Sequence, residues 1–480
     1  MPRCLRGRAR KVTGIDELLG SVLREITPTE EERKKILQVF EKIRDALEKH
    51  LHRVGVRAEV TLQGSIVHET WLRGDRDLDV FVLYPEEWSV SDVKERGFQL
   101  IKEAVENIGR VEVRYAEHPY VRVVVDDVEA DIVPAFKLKS PVNIRTAVDR
   151  TPFHTQFVIE HLKNGLNNDV RLLKKFMKTV GVYGAEVKTK GFSGYAAELL
   201  VIKYGGFLNT LKAASEWRPP VYVNTLGDEA LFRDVVRRLV EKYPESIIYM
   251  PDPVDPSRNV TAAVSLEKLS KFILSAKCFL EKPGLRYFED VGEGEPADIA
   301  ETIDERCVIL VEVEASTRLP PEVIWGELDR IRDRCVKFLV NHDFNVYYST
   351  VWTDESKRGV VVLELDECEK PAYKLYEGPP FTDLNRVTDF TRKHAGKSVK
   401  IWLSREGKLM SISRRSARNS LDLLATRYNE YLVSPHFKNS KPVVYRVTRG
   451  NIEALASKYG FNVLKDLTRK IEPWLLECTS

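Results

Sequence analysis

Asp77 and Asp79 stand two residues apart in the run Asp77-Leu78-Asp79-Val80-Phe81-Val82. In a strand successive side chains alternate, so both carboxylates project from one face. Two like charges so placed repel one another and lose solvation, and a divalent cation relieves both penalties. Hard oxygen ligands suit Mg²⁺, which keeps waters and takes substrate phosphates as further ligands. A third acid, Asp131, follows roughly fifty residues later, in Val128-Glu129-Ala130-Asp131-Ile132-Val133-Pro134. Its apolar flanks place it on a neighbouring strand. Three carboxylates on adjacent strands are the ligand set of two-metal phosphoryl transfer, in which one ion activates an attacking hydroxyl and the other stabilises the leaving pyrophosphate. Asp131 takes general-base duty and one metal in this reading, and Asp77 and Asp79 serve both metals.

A pair of aspartates alone is more often a solvated edge strand than a metal site. Two further features weigh against that here. Gly64-Ser65 lies about a dozen residues upstream, at the end of a β-type run. There a glycine lets the backbone approach a phosphate closely, and N–H groups with the serine hydroxyl can hold its oxygens. The third acid has apolar neighbours on both sides, as a buried strand requires.

The elements that must position these groups form a mixed α/β module. Residues 15–52 read as one or two helices, with Thr27-Pro28-Thr29-Glu30 as a start signal and Ile36, Val39, Phe40 and Ile43 at helical spacing. Strands are expected at Val56–Leu62, Leu78–Leu83, 110–116, 119–126 and 128–135, with a helix over about 90–108. From 151 to 285 the pattern turns helical, with helices over 170–180 (capped by Asp169), 193–214, 228–243 and 264–280. The stretch 285–305 is rich in Gly, Pro and acid and marks a boundary. Beyond it a β-α-β-β order (Val308–Glu314, Pro321–His342, Asn345–Thr353, Val360–Leu365) suggests a ferredoxin-like or RNP-like layer. The fold class is α+β in three parts: residues 1–150 a catalytic head, 151–285 a helical central domain, and 286–480 a mixed α/β tail.

The chain has 480 residues, 43% hydrophobic and 31% charged, with a net charge of +3. The total charge does not mark a nucleic-acid binder, so distribution has to decide. No apolar run approaches the length of a membrane span, and the basic start lacks an apolar signal core. The cysteines, Cys4, Cys278, Cys307, Cys335, Cys368 and Cys478, have no zinc-ligand spacing and are too sparse for a disulfide scaffold, so a reduced, cytoplasmic protein is expected. Glutamine is scarce against abundant Lys, Arg, Asp and Glu, a bias shared by heat-adapted proteins.

Gly-Ser, then Asp-x-Asp, then a later Asp is the signature of the DNA polymerase β-type nucleotidyltransferases. Within them the chain resembles the archaeal class I CCA-adding enzymes, through VEADIVPAFKLKSP (128–141), AVDRTPFH (147–154), VRLLKKFMKTVGVYGAEVKTKGFSGY (170–195), DPVDPSRNV (252–260) and, more thinly, EGPP (377–380). The resemblance implies a polymerase β-type head, a helical neck and an α/β body and tail, with a homodimer as the usual assembly. It implies addition of C and A from CTP and ATP to the 3′ end of tRNA without a nucleic-acid template. Carried over by position, Ser65 matches a triphosphate contact, beside Gly64 read above as a nucleotide-binding residue, and Thr151, His154, Lys174, Tyr183 and Arg258 match the nucleotide pocket. The family usually carries an arginine where this chain has His68.

The residues read by themselves add to this. On the 170–180 helix, Arg171, Lys174, Lys175 and Lys178 fall at i, i+3, i+4 and i+7, one basic face opposite Leu172, Leu173, Phe176 and Met177. Such a stripe is commonly a solvated face, and beside a catalytic module it also suits a triphosphate. In the tail, Lys393, Lys397, Lys400, Arg414, Arg415 and Arg418, with Trp402 interleaved, read as a phosphate-tracking surface for tRNA. The basic arm at residues 3–11 could add nonspecific attraction. Two other functions fit the catalytic signature: a poly(A)-type polymerase, and a noncatalytic RNA-binding protein on the same scaffold.

Overall fold

The structure, a computed structural model, describes residues 14–115, 119–289, 301–460, 463, 464, 467 and 472–479. The basic arm and most of the 285–305 boundary lie outside these residues.

Helices α1 (Ile15–Ile26) and α2 (Glu30–Arg53) are separate. Thr29 caps α2 reciprocally: its hydroxyl accepts from the Glu32 N–H at 3.2 Å, and the Glu32 carboxylate accepts from the Thr29 N–H at 2.9 Å. The buried stripe Ile36, Val39, Phe40, Ile43 and Leu47 then packs on a five-stranded sheet. Its strands are β1 (Glu59–Gln63), β2 (Asp77–Tyr84), β3 (Arg110–Tyr115), β4 (Pro119–Val125) and β5 (Val128–Phe136), with α3 (Phe98–Val105) between β2 and β3. The spatial order is β1-β2-β5-β4-β3, and β2 and β5 run parallel. Alternation along β2 turns Leu78, Val80 and Val82 into the core beneath α2 and α3. The other set, Asp77, Asp79, Phe81 and Leu83, faces the opposite side.

A helical bundle follows: α4 (Thr151–His161), α5 (Leu166–Thr179), α6 (Gly194–Tyr204), α7 (Phe207–Ser215), α8 (Glu229–Lys242) and α9 (Leu266–Glu281), with short strands β6 (Val221–Tyr222) and β7 (Ile248–Tyr249) flanking α8. Phe176 sits at its centre, with the rings of Phe207, Phe279 and Tyr287 within 6 Å. Leu18, Leu19, Val22 and Ile26 of α1 belong to this core rather than to the sheet. The single helix expected over 193–214 is two, because Gly205 and Gly206 adopt φ of 73° and 134°, conformations costly to residues with a Cβ. The cap expected from Asp169 on its own helix is likewise corrected. Gly165 precedes α5, and Asp169 accepts instead from the Phe207 N–H at the start of α7, at 2.8 Å.

The next unit holds β8 (Cys307–Glu314), α10 (Pro321–Asn341), β9 (Val346–Thr353), β10 (Arg358–Leu365), β11 (Tyr373–Pro380), α11 (Leu384–Ala395), β12 (Ser398–Leu403), β13 (Lys408–Arg414), α12 (Ser420–Thr426), β14 (Val443–Arg446) and α13 (Ile452–Tyr459). Strands β14-β8-β10-β9 form an antiparallel sheet in that order. Numbered by sequence within this sheet, that is 4-1-3-2, the ferredoxin-like arrangement. A second sheet, β11-β13-β12, is inserted between β10 and α12. The four-stranded sheet is covered on both faces. Val308, Leu310, Val360 and Val362 pack against Ile452, Leu455 and Tyr459 of α13, while Gly359 on the other side meets Leu328 of α10.

The described residues thus divide into two compact units, and the final helix α14 (Pro473–Thr479) returns to the first, where it packs on α9. Trp474 is buried in that core. The expected reduced state is corrected in the same place. Cys278 is bonded to Cys478 and Cys307 to Cys368, across 200 and 61 residues of sequence. Such separations leave no spacing signal for sequence reading. Intracellular proteins of hyperthermophiles are the documented exception to the rule that disulfides mark secreted proteins. No helix among the described residues is long and apolar enough to cross a membrane.

Candidate nucleotidyl-transfer site

The parallel pairing of β2 with β5 sets Asp79 directly opposite Asp131 and Asp77 opposite Glu129. Four carboxylates therefore share the sheet face turned away from α2 and α3. Burial pushes the Asp79 carboxyl up to about 7, reinforced by the charges of Asp131 and Asp77. Burial also raises Asp77, with Asp75 and Glu129 adding to it.

The neighbouring strand brings a cation that sequence reading missed. Arg122 of β4 lies opposite Asp131 and grips it with two bonds, from Nε to Oδ1 at 2.6 Å and from Nη2 to Oδ2 at 2.7 Å, while Nη1 reaches Glu129 at 2.9 Å. The Asp131 hydrogen bond is the main reason that Arg122 is held even more firmly protonated than usual. With both Asp131 oxygens so engaged, no three His, Cys, Asp or Glu side chains among the described residues are poised to ligate one ion. The donor set nevertheless has the chemistry of a hard divalent cation: carboxylates paired across adjacent strands, one of them raised to about 7 by desolvation and by the charges of its neighbours. Such an ion would have to displace Arg122 from Asp131.

Beside the carboxylates the chain leaves β1 through Gly64, at φ 72°, where a Cβ would overlap the Asp79 carboxylate. Only glycine lets the turn lie against the acid. The Gly64 N–H donates to Thr155 of α4 at 3.4 Å, which ties the turn to the helical bundle. A cavity of about 300 Å³ opens here, lined by Gly64, Ser65, His68, Asp79, Thr151, His154, Thr155, Lys174, Tyr183, Gly194, Tyr195 and Glu198. The structure thus gathers into one pocket Gly64, Ser65, His68, Thr151, His154, Lys174, Tyr183 and Asp79, residues scattered over 120 positions of sequence.

One wall of the pocket is a buried ionic cluster centred on Glu198. Its Oε1 accepts from Thr70 Oγ1 at 2.5 Å, His68 Nδ1 at 3.1 Å and Lys174 Nζ at 3.3 Å; Lys174 also donates to Thr70 at 2.9 Å. Burial alone would raise the Glu198 carboxyl, but Lys174 and His68 hold it down to about 2. An ionised Glu198 can only accept, so His68 carries its proton on Nδ1. The buried Nε2 of His68 has no hydrogen-bond partner among the described residues.

Behind His154 and Tyr195, two other lining residues, stands Asp252. It accepts from His154 Nε2 at 2.8 Å, Arg258 Nη1 at 2.9 Å and the Tyr195 hydroxyl at 3.3 Å, and His154 stacks on the Tyr195 ring at 4.1 Å. His154 and Asp252 are therefore locked, while Arg258 reaches the pocket only through Asp252. Gly194 leaves room for the Tyr183 hydroxyl and for Lys174, its nearest neighbours.

The basic face expected on α5 is not one surface. Arg171 is buried, donating to Trp71 O and to Asn168, and Lys174 alone lines the pocket. Lys178 pairs with Asp75 at 3.0 Å and, with Lys175, lines a separate cleft beside α1. The tail cluster divides as well. Lys393 and Lys397 are exposed near the end of α11, and Lys400 and Arg414 are exposed on strands. Arg415 is tied to Asp343 at 2.6 Å and Arg418 to Glu369 at 3.1 Å.

Three family models match consecutive stretches of the chain: the nucleotidyltransferase domain over residues 40–154, the second domain of tRNA nucleotidyltransferase over 168–289, and the C-terminal domain of CCA-adding enzyme over 306–450. The CCA-adding enzyme of Pyrobaculum islandicum is 37% identical over 86% of this chain and 93% of its own length. The chain belongs to the CCA-adding enzymes. The Sulfurisphaera tokodaii member of the family is 37% identical over 82% of this chain and 87% of its own, and the Sulfolobus acidocaldarius member 34% over 83% and 88%. Solved structures that match are more distant, such as the Cid1 poly(U) polymerase with MgATP, with a TM-score of 0.46 and 15% identity over 57% of this chain and 98% of that one. Membership in the CCA-adding family makes the chain a nucleotidyltransferase of the metal-dependent kind, with nucleotide and tRNA substrates.

Proposed function

We propose that the pocket between sheet and bundle holds CTP or ATP while the 3′ end of a tRNA attacks its α-phosphate, and that the chain completes tRNA by adding CCA without a template. The observation that carries this reading is the in-register pairing of Asp79 with Asp131 beside the Gly64-Ser65 turn, backed by the family membership. Asp77, Asp79 and Asp131 would hold Mg²⁺. The ion, when bound, supplies charge neutralisation at the phosphates and activation of the attacking hydroxyl.

The chain's own residues prepare that chemistry. The Gly64-Ser65 turn offers backbone and hydroxyl donors to phosphate oxygens. Lys174, oriented by Glu198 and Thr70, supplies a fixed positive charge in the pocket wall, strengthened by exclusion from water. The buried Nε2 of His68, without a hydrogen-bond partner among the described residues, is the kind of group a polar ligand satisfies. Thr151, His154 and Tyr183 shape the remaining surface for the base and sugar, and Asp252 fixes both His154 and Arg258. Lys393, Lys397, Lys400 and Arg414 remain available for tRNA phosphates, as does the exposed Arg418 beside Glu369, whereas the largely shielded Arg415 is engaged by Asp343. A cytoplasmic homodimer is the assembly we expect, to be checked by sedimentation.

The test is incubation with a tRNA that ends before CCA, using CTP and ATP singly and together. The proposed activity adds C residues with CTP, completes CCA with both and stops after three. Long ATP-only tails would instead identify a poly(A)-type polymerase. RNA retention with no label transferred would identify a noncatalytic binder.

A further inference from the structure

One rung of the head sheet crosses all five strands. Gln63 of β1 pairs with Asp79, Asp79 with Asp131, Asp131 with Arg122, and Arg122 with Glu112 of β3. Val121 and Val123, which flank Arg122, are buried in the core beneath α2 and α3, so alternation turns Arg122 to the carboxylate face. Side chains paired in this way start roughly 5 Å apart at their Cβ atoms. Asp131 therefore stands between an acid and a base, with Asp79 on its β2 side and Arg122 on its β4 side.

Arg122 commands both oxygens of Asp131, with Nε on one and Nη2 on the other. Such a fork draws the carboxylate toward β4. An ion shared by Asp79 and Asp131 needs one of those oxygens on the β2 side, so guanidinium and ion compete for one carboxylate. The guanidinium keeps its charge at any working pH, and only another cation can release Asp131 from it. Arg122 also has somewhere to go. Its Nη1 already donates to Glu129 at 2.9 Å, and the Glu129 side chain is 45% exposed and free to follow. Glu112, on the other flank, is engaged by Arg114 at 2.8 Å and Arg110 at 3.5 Å. Glu129 is therefore the better resting place, and the exchange needs only side-chain rotation.

We infer that Arg122 is a positioning residue that sets the metal affinity of the site: it holds Asp131 until a divalent cation displaces it onto Glu129. The inference rests on the metal-holding role proposed above for Asp77, Asp79 and Asp131. A site that must first expel its own cation binds an ion more weakly, in proportion to the fraction of chains in which Asp131 is already free. The ion held through Asp131 is therefore taken up last, after the ion that Asp77 and Asp79 share with the triphosphate.

The test titrates Mn²⁺ into the full chain with CTP present and RNA absent, and follows bound ions by electron paramagnetic resonance. Wild type takes up one ion tightly and a second weakly. Arg122→Gln tightens the second by about tenfold and leaves the first unchanged. Arg122→Lys, whose ammonium cannot fork both oxygens, tightens it by about threefold and carries the test alone if Arg122→Gln does not fold. Damage to the fold weakens ion binding, so a gain in affinity separates displacement from a structural role. Equal or weaker binding of the second ion in the folded variants overturns the counter-ion. The metal site then still stands, provided Asp79→Asn loses the binding that wild type shows. Absence of saturable Mn²⁺ binding in every chain, wild type included, removes the metal site and the counter-ion together.

Discussion

Two sets of cations that read alike in the sequence end in opposite situations. Lys174, one of a basic stripe on α5, is buried against Glu198 and Thr70 with its charge neutralised by design of the fold. Lys400 and Arg414, part of a basic run in the second unit, stand exposed, with no carboxylate partner among the described residues. A buried, paired charge acts at short range in a low dielectric and resists salt; an exposed one acts weakly and is screened within about 10 Å at 0.1 M salt. The first kind suits a triphosphate held for chemistry, and the second suits a long polyanion held loosely enough to be released.

The largest effect that sharpens this contrast is at the carboxylates. Asp79→Ala should lower nucleotide incorporation by roughly a thousandfold or more, with tRNA affinity unchanged. Comparable incorporation by variant and wild type in a single-turnover assay would remove Asp79 from the site. Next comes the buried cluster. Glu198→Gln leaves Lys174 without its counter-charge and is expected to cost about 3–5 kcal/mol of stability, read as a fall in chemical-denaturation midpoint. A midpoint within error of wild type would show that Lys174 does not depend on Glu198.

These two predictions differ in how visible their residues are before folding. Asp77, Asp79 and Asp131 were legible because alternation fixes a face and the Gly64-Ser65 turn fixes an end of the strand. Glu198 was not singled out, although its signal was present: a lone acid inside the otherwise apolar Ala196-Ala197-Glu198-Leu199-Leu200-Val201. Arg122 likewise interrupts a valine run, Val121-Arg122-Val123-Val124-Val125, but its partner depends on the β4–β5 register, which local pattern does not supply. The fold of the second unit was legible only in part. The β-α-β-β order could be read, whereas the inserted sheet and the coverage by α13 depend on contacts far apart in sequence. The disulfides were invisible for the same reason.

The pH dependence follows from Asp79. Its carboxyl titrates at about 7 in the folded chain against 3.8 ordinarily, so the folded state holds more protons than the unfolded one between those values. Stability without metal is therefore lowered progressively as pH rises through that window, by roughly 2–4 kcal/mol in all. Asp79→Asn should gain on wild type by that amount between pH 4 and 8, approximately, in thermal melts without Mg²⁺, and added Mg²⁺ should close the gap. A constant difference across the range would place the Asp79 charge outside any strained cluster.

The smallest effect is at the exposed cations. Raising salt should weaken tRNA binding steeply while the CTP KM changes little, and Lys393→Glu or Lys397→Glu should each reduce the tRNA salt slope by about one at most. Equal salt sensitivity of tRNA and CTP would erase the distinction between the two sets.

Direct binding of a divalent cation tests the central claim most closely. Mn²⁺ titrated into the protein with CTP and followed by its electron paramagnetic resonance signal should bind saturably to wild type. Asp79→Asn combined with Asp131→Asn should abolish that binding while the chain remains folded. Mn²⁺ binding by the double variant equal to that of wild type would contradict the assignment of these carboxylates as the metal site.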